Sequence, residues 1–257
     1  MKSIESRNNP LIKQALRINA GKTDDVAPWL VVEGYKLIDE ALRSGAELQM
    51  CFIDNAATVA GRPEIESRSL LVPRSILKEL ATVQTPGNIV AYFTSTPAPD
   101  IEEILKNASM VVVLDRIQDP GNLGTIMRTG EALGADAVIL LKGCCSPTNP
   151  KAIRAAMGSS FRIPVLSLPD HRQALQQLKD SGYTCIAASM NGTPLPAFAF
   201  PARCAMFFGQ EGQGLHQEIF AECNHTLAIP MQGQVESLNV ATSVALCLYE
   251  WNRGRNS

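Results

Sequence analysis

Apolar residues recur at helical spacing in NPLIKQALRI (9–18), YKLIDEALRSG (35–45) and RSILKELATV (74–83). Between them lie short runs of strand length and composition: WLVVEG (29–34), LQMCFID (48–54), SLLVP (69–73) and NIVAYF (88–93). The order predicts a small α/β domain over residues 1–95. The stretch TSTPAPD (94–100) opposes both helix and sheet, and a linker is expected over 96–108. The alternation then resumes in MVVVLDRI (110–117), AVILL (137–141), RIPVLSL (162–168), TCIAAS (184–189), AMFFG (205–209) and HTLAIP (225–230), with helical runs in most gaps. Uninterrupted apolar, β-branched strands separated by helices predict a mostly parallel sheet covered on both faces, in a second α/β domain over 109–257.

Two helices of that second domain have distinctive patterns. In DPGNLGTIMRTGEALG (119–134), Leu123, Ile126, Met127, Gly130 and Leu133 form one buried stripe and leave Arg128 on its flank. In SLNVATSVALCLYEW (237–251) nearly every side is apolar, so the helix is expected to be enclosed by its own chain or by a partner, and a homodimer is the expected partner.

Composition narrows the class. The 257 residues can fill substantial cores, and no apolar run reaches the roughly 18 residues of a membrane helix. The start MKSIESRNNPLIKQ lacks the apolar core of a secretory signal, so a soluble cytoplasmic protein without membrane contact is expected. Seven scattered cysteines without a CxxC pair read as core filling, although the adjacent Cys144 and Cys145 stand out. His171, His216 and His225 have no zinc-ligand spacing, and no metal is expected. A net charge of −2 gives no overall footprint for nucleic acid. Residues 1–22, however, carry Lys2, Arg7, Lys13, Arg17 and Lys22 against Glu5 alone, with Lys13 and Arg17 one helical turn apart.

Three loops at strand ends concentrate the candidate chemistry: DRIQDPGNLG (115–124), GQEGQGL (209–215) and IPMQGQVESLN (229–239). None is a dinucleotide or phosphate-loop fingerprint. Gly209, Gly212, Gly214 and Gly233 allow close backbone approach to a ligand, or simply tight turns. Asn122 is placed either to cap its helix or to orient Arg128, and Glu211 either to decorate a turn or to pair with that arginine. Ser237 is placed to cap the last helix, and the amide of Asn239 to reach back toward a ligand or the other loops.

In order and spacing, DPGNLGTIMRTGEALG, FFGQEGQGL and IPMQGQVESLNVATSVAL resemble the three motifs of the SpoU branch of the SPOUT methyltransferases, and RAAMGSSFRIPV (154–165) fits between the first two. The resemblance spans residues 110–252. SRNNPLIKQALRI, VVEGYKLIDEALRSG and TPGNIVAYF are similar, more loosely, to the small L7Ae-like substrate-binding domain that precedes the catalytic domain in many of these enzymes.

The resemblance implies a C-terminal trefoil knot and transfer of a methyl group from S-adenosylmethionine to a ribose 2′-hydroxyl of RNA. It implies cofactor contacts from Gly209, Ile229, Met231, Ser237 and Leu238, and a catalytic set of Arg128, Asn122, Glu211, Ser237 and Asn239, with Arg128 at the attacking ribose hydroxyl. Phosphate contacts are expected from Lys13, Arg17 and Arg154, with Lys151 as a further candidate. A preceding substrate domain favours ribosomal over transfer RNA; a transfer-RNA enzyme and an inactive RNA-binding member of the fold are the alternatives. Arg116 stands where the family commonly has a smaller or uncharged residue.

Overall fold

A computed structural model describes residues 1–22, 29–94, 100–233 and 237–255. The chain divides into two compact units: Met1–Pro97 with Thr148–Arg154, and Ala98–Pro147 with Ala155–Ser257.

The first unit runs β1 (Lys2–Ser3), α1 (Pro10–Asn19), β2 (Trp29–Glu33), α2 (Tyr35–Arg43), β3 (Glu47–Ile53), α3 (Pro63–Glu66), β4 (Ser69–Leu71), α4 (Arg74–Leu80) and β5 (Ile89–Thr94). Its five-stranded sheet has the order β1-β4-β3-β5-β2, with β5 antiparallel to both neighbours. Helix α1 starts where Asn9 accepts the Leu11 amide and Pro10 needs no donor partner. It buries Ile12, Ala15 and Ile18 against Phe52, Leu77, Leu80 and Tyr92, and its phase leaves Lys13 and Arg17 exposed. The Phe52 and Tyr92 rings meet edge to face at 5.8 Å, and the Tyr92 hydroxyl reaches Asn19 Oδ1 at 3.0 Å.

The second unit contains α5 (Ile101–Asn107), β6 (Met110–Leu114), α6 (Pro120–Leu133), β7 (Ala137–Leu140), α7 (Pro150–Ala156, shared with the first unit), β8 (Val165–Ser167), α8 (His171–Asp180), β9 (Thr184–Ser189), β10 (Thr193–Pro194), β11 (Cys204–Phe208), α9 (Gln217–Glu222), β12 (His225–Ala228) and α10 (Val240–Arg255). The seven-stranded sheet has the order β10-β12-β9-β11-β6-β7-β8, and every strand pairing in it is parallel. The central strands β6 and β11 are buried along their whole length, as their unbroken apolar sequences require. The mostly parallel α/β class expected from the alternation is therefore the one observed.

Helix α6 packs its Leu123, Ile126, Met127 and Gly130 inward, and Asp119, not Asn122, is its N-cap, accepting the Asn122 amide. Gly134 closes it in the left-handed conformation at φ 84°. Asn252 of α10 donates to the terminal carbonyl of Leu133 at 3.2 Å. Helix α10 is less uniformly enclosed than its composition suggests. Val240, Ala241, Val244, Cys247, Leu248 and Trp251 form a buried stripe, whereas Leu246 and Tyr249 face outward, 39% and 59% exposed.

Two expectations about organisation change. Residues 96–99 of the expected linker lie outside the described residues, and 101–107 form α5, whose Leu105 belongs to the second unit's core together with Ala108. Asp100 caps this helix, so the polar residue that read as linker is a helix start. The second domain, expected as the unbroken run 109–257, also lacks Thr148–Arg154, which clusters with the first unit, where Arg154 donates to Thr82 Oγ1 at 2.8 Å.

Candidate active site

The loops after β6, β11 and β12 meet at the carboxyl ends of their strands, and one carboxylate joins them. Glu211 Oε1 accepts from Asn122 Nδ2 at 3.0 Å, from Asn239 Nδ2 at 2.7 Å and from the Val240 amide at 3.1 Å. Asn239 also donates to Asn122 Oδ1 at 2.9 Å. Its side-chain Oδ1 accepts from the amides of Ala241 and Thr242, which makes Asn239, rather than Ser237, the cap of α10. The carboxylate lies at the amino end of α10, where the free amides and the helix dipole favour negative charge.

This geometry corrects the pairing suggested for Arg128. Glu211 is held by two side-chain amides and one backbone amide, not by a guanidinium, and Asn122 is occupied with Glu211 and Asn239. Arg128 lies six residues beyond Asn122, about 9 Å along the helix and on a different face. It is exposed, and no hydrogen bond or ion pair of its side chain is recorded among the described residues.

Beside the Glu211 network opens a cavity of about 610 Å³, a size suited to a small-molecule ligand. Gly209, Ile229, Met231, Ser237 and Leu238, the expected cofactor contacts, all line it, as does Glu211. Asn122, Asn239 and Arg128 do not. Its walls combine apolar surface (Phe208, Leu227, Val240) with the backbone of the glycine-rich loop. At Gly209 an added Cβ would lie 2.1 Å from the carbonyl carbon of Gly214 and 2.3 Å from the Leu215 amide, so only glycine permits the loop to fold back over the strand end. Residues 234–236 of the third loop lie outside the described residues.

The sequence reading missed one wall. Ala188, Ser189, Met190 and Asn191, at and just past the end of β9, also line the cavity. The rule that singled out the other three loops, that ligands bind at the carboxyl ends of parallel strands, applies equally to ASMNG. The cysteine pair finds a structural explanation. Cys144 Sγ accepts the Ile117 amide at 3.3 Å and donates to the Leu114 carbonyl at 3.2 Å, and the Cys145 amide donates to Ile117 at 2.8 Å. Burial pushes the Cys144 thiol up to about 11, so it keeps its proton at neutral pH and remains a donor. Among the described residues no group of three or more histidine, cysteine or acidic side chains could hold a metal ion. No described helix is long and apolar enough to cross a membrane.

The arrangement matches solved structures over nearly the whole chain. An AdoMet-bound rRNA methyltransferase from Sinorhizobium meliloti superposes with a TM-score of 0.84 at 26% identity, covering 98% of this chain and 97% of that one. The SpoU methyltransferase AviRb from Streptomyces viridochromogenes, in complex with AdoMet, gives 0.84 at 25% identity, covering 97% and 99%. Fold and cavity together define a methyltransferase of the SPOUT class. The 23S rRNA (guanosine(2553)-2′-O)-methyltransferase RlmP of Bacillus subtilis is 31% identical, with 97% of this chain and 98% of the relative covered. The model of the SpoU rRNA methylase family matches residues 109–249, and that of the MRM3-like substrate binding domain matches residues 9–91. The chain belongs to the SpoU rRNA methylase family.

Proposed function

We propose that this protein transfers the methyl group of S-adenosylmethionine to a ribose 2′-hydroxyl of ribosomal RNA. The observation that carries the reading is the cavity itself, walled by the second and third motif loops and the end of β9, with Glu211 tying those two loops to Asn122 of the first in a chain of this family. Gly209, Ile229, Met231, Ser237 and Leu238 are assigned to the cofactor. The fit is chemical as well as spatial, since apolar walls suit a purine ring and the hydroxyls of Ser189 and Ser237 suit ribose and amino-acid groups. Bound there, S-adenosylmethionine supplies an electrophilic methyl group on a sulfonium sulfur. Asn122, Glu211 and Asn239 hold the loops in register. Arg128, whose guanidinium offers a planar fork of donors, is assigned to the oxygen that becomes negative as the 2′-hydroxyl attacks.

The test is incubation of the protein with methyl-labelled S-adenosylmethionine and ribosomal or transfer RNA, followed by alkaline hydrolysis. Label in alkali-resistant dinucleotides from ribosomal RNA is the expected result. Label in mononucleotides would mean base methylation, label confined to transfer RNA would move the substrate, and RNA binding without label would mean an inactive member of the fold.

The RNA footprint is assigned to Lys13 and Arg17, which share the exposed face of α1. Replacing both with alanine is expected to weaken RNA binding and to lower the slope of log affinity against log salt by about 1 to 2, as loss of one or two phosphate contacts requires. Filter binding across a salt series measures it, and an unchanged slope removes α1 from the footprint. Arg154 is half-buried, unlike Lys13 and Arg17, and donates to Thr82, which makes it the weaker candidate on exposure. We assign the outward Leu246 and Tyr249 of α10 to a homodimer contact, since both are large side chains left exposed three residues apart on one helix. The compartment assigned is the cytoplasm. Leu246→Glu combined with Tyr249→Glu is expected to halve the mass seen by light scattering, and an unchanged mass would reject the contact.

A further inference from the structure

Arg116 is one of two non-glycine residues with positive φ recorded among the described residues, at φ 58°. L side chains adopt this region rarely, and such residues persist where surrounding contacts over-determine them. The contacts here join two of the strand-end loops. Arg116 Nε and Nη2 donate to Asp115 Oδ2 at 3.1 and 3.0 Å, Nη2 also donates to the Gly214 carbonyl at 3.0 Å, and Nη1 reaches Gln213 Oε1 at 3.3 Å. Asp115 is buried, and the same Oδ2 accepts the His216 amide at 2.9 Å. Gly214 in the glycine-rich loop and His216 just beyond it are therefore fastened to one Asp115–Arg116 pair on another loop. Space for the guanidinium stem is kept by Gly143, where an added Cβ would lie 2.9 Å from Arg116 Cγ.

We infer that Arg116 is a positioning residue that pins the glycine-rich loop 209–215 in its closed shape over the cofactor cavity, and so sets affinity for S-adenosylmethionine. Gly214 is the hinge of this argument. On one side its carbonyl group packs against Gly209 and on the other it accepts from Arg116, while its amide donates to Gln210 at 2.9 Å. Glu211 ties the middle of the loop to the amino end of α10. Arg116 ties down its far end. Without that second tie the segment from Gly212 to Gly214, two glycines at positive φ around Gln213, has many other conformations to visit, and ligand binding must then select the closed one. Arg116 itself does not line the cavity, so it acts through the loop.

The inference rests on the assignment of the cavity to S-adenosylmethionine, and calorimetric titration of the wild-type chain with that compound tests the assignment separately. If the wild type binds, Arg116→Gly and Arg116→Lys decide the inference. Glycine fits the positive φ without strain but has no reach. Lysine keeps a cation beside Asp115 and the same backbone, but loses the fork that engages Asp115 and Gly214 together. Both are expected to raise the S-adenosylmethionine Kd, about tenfold or more for Arg116→Gly and less for Arg116→Lys. The Kd for ribosomal RNA is expected to stay within about twofold of wild type in each. A folded variant binding S-adenosylmethionine with wild-type affinity overturns the inference. So does a parallel loss of RNA affinity, which would make Arg116 an RNA contact. Should Arg116→Gly fail to fold, Arg116→Lys decides by the same two constants.

Discussion

Gly209→Ala is expected to abolish measurable binding of S-adenosylmethionine and to lower the thermal midpoint by about 5–10 °C, the shift that an overpacking cost of about 2–3 kcal/mol produces in a chain of this size. The new methyl group would sit 2.1 and 2.2 Å from the carbonyl carbon and oxygen of Gly214 and 2.3 Å from the Leu215 amide. All three are backbone atoms, so no rotamer change relieves the overlap. Either the loop or β11 must move, and the loop is the softer of the two because β11 is hydrogen-bonded to β6 on one side and β9 on the other. A displaced loop carries Glu211 with it and breaks its bonds to Asn122 and Asn239. Gly212→Ala is the control. Its added Cβ meets nothing within 4 Å, but its φ of 84° makes any side chain strained, by about 1–2 kcal/mol. It is therefore expected to lower the midpoint less than Gly209→Ala and to leave measurable binding. Calorimetric titration and a thermal melt of both variants make the comparison. Wild-type affinity in Gly209→Ala would mean that the close approach does not shape the cavity.

The contrast between these glycines shows what the sequence can and cannot disclose. All lie in GQEGQGL, and composition marks each as a turn residue. Which one is pressed against a backbone depends on how the loop returns over the strand, a relation between Gly209 and Gly214 that no local pattern carries. The regular elements were legible because their periods are local. The apolar runs of β6, β7, β9, β11 and β12 and the stripe of α6 each report their own burial. The two-residue strands β1 and β10 are too short to show a period. Helix α5 was hidden by the proline-rich stretch before it.

At the site, residue types were easier to read than roles. Asp119 and Asn122 are both capping residues, three positions apart, and only the structure shows that Asp119 caps α6 and thereby leaves Asn122 to bridge loops. Asn239 takes the cap of α10 in the same way and leaves Ser237 on the cavity wall. Arg116 was visible as an unusual residue, yet its left-handed backbone and its reach to Gly214 depend on Gly143, 27 positions away and drawn close by the pairing of β6 with β7. A threaded chain path is likewise a global property, and only the family resemblance implied it.

Arg128→Lys is expected to reduce kcat about 10²–10³-fold while leaving the Kd for S-adenosylmethionine within about twofold, because a lost preorganised donor to a developing oxyanion costs about 2.7–4 kcal/mol in the transition state alone. Lysine preserves the charge but not the planar fork, so the size of the loss separates geometry from simple attraction. The cofactor Kd should hold because Arg128 does not line the cavity of its own chain. The same fact places a demand on the mechanism. Arg128 is exposed on α6, on a different face of that helix from Asn122, and lines no part of its own chain's cavity, so we propose that it serves the cavity of a partner subunit through the homodimer contact assigned to Leu246 and Tyr249. Mixed dimers decide the point. Arg128→Ala and Gly209→Ala chains, each expected to be inactive alone, should regain activity when paired, since one of the two sites then combines an intact cavity with an intact arginine from the partner. Recovery near half the wild-type rate supports delivery across the dimer. Without recovery in mixed dimers the arginine does not act across the interface, and near wild-type turnover by Arg128→Lys would remove it from the chemistry altogether.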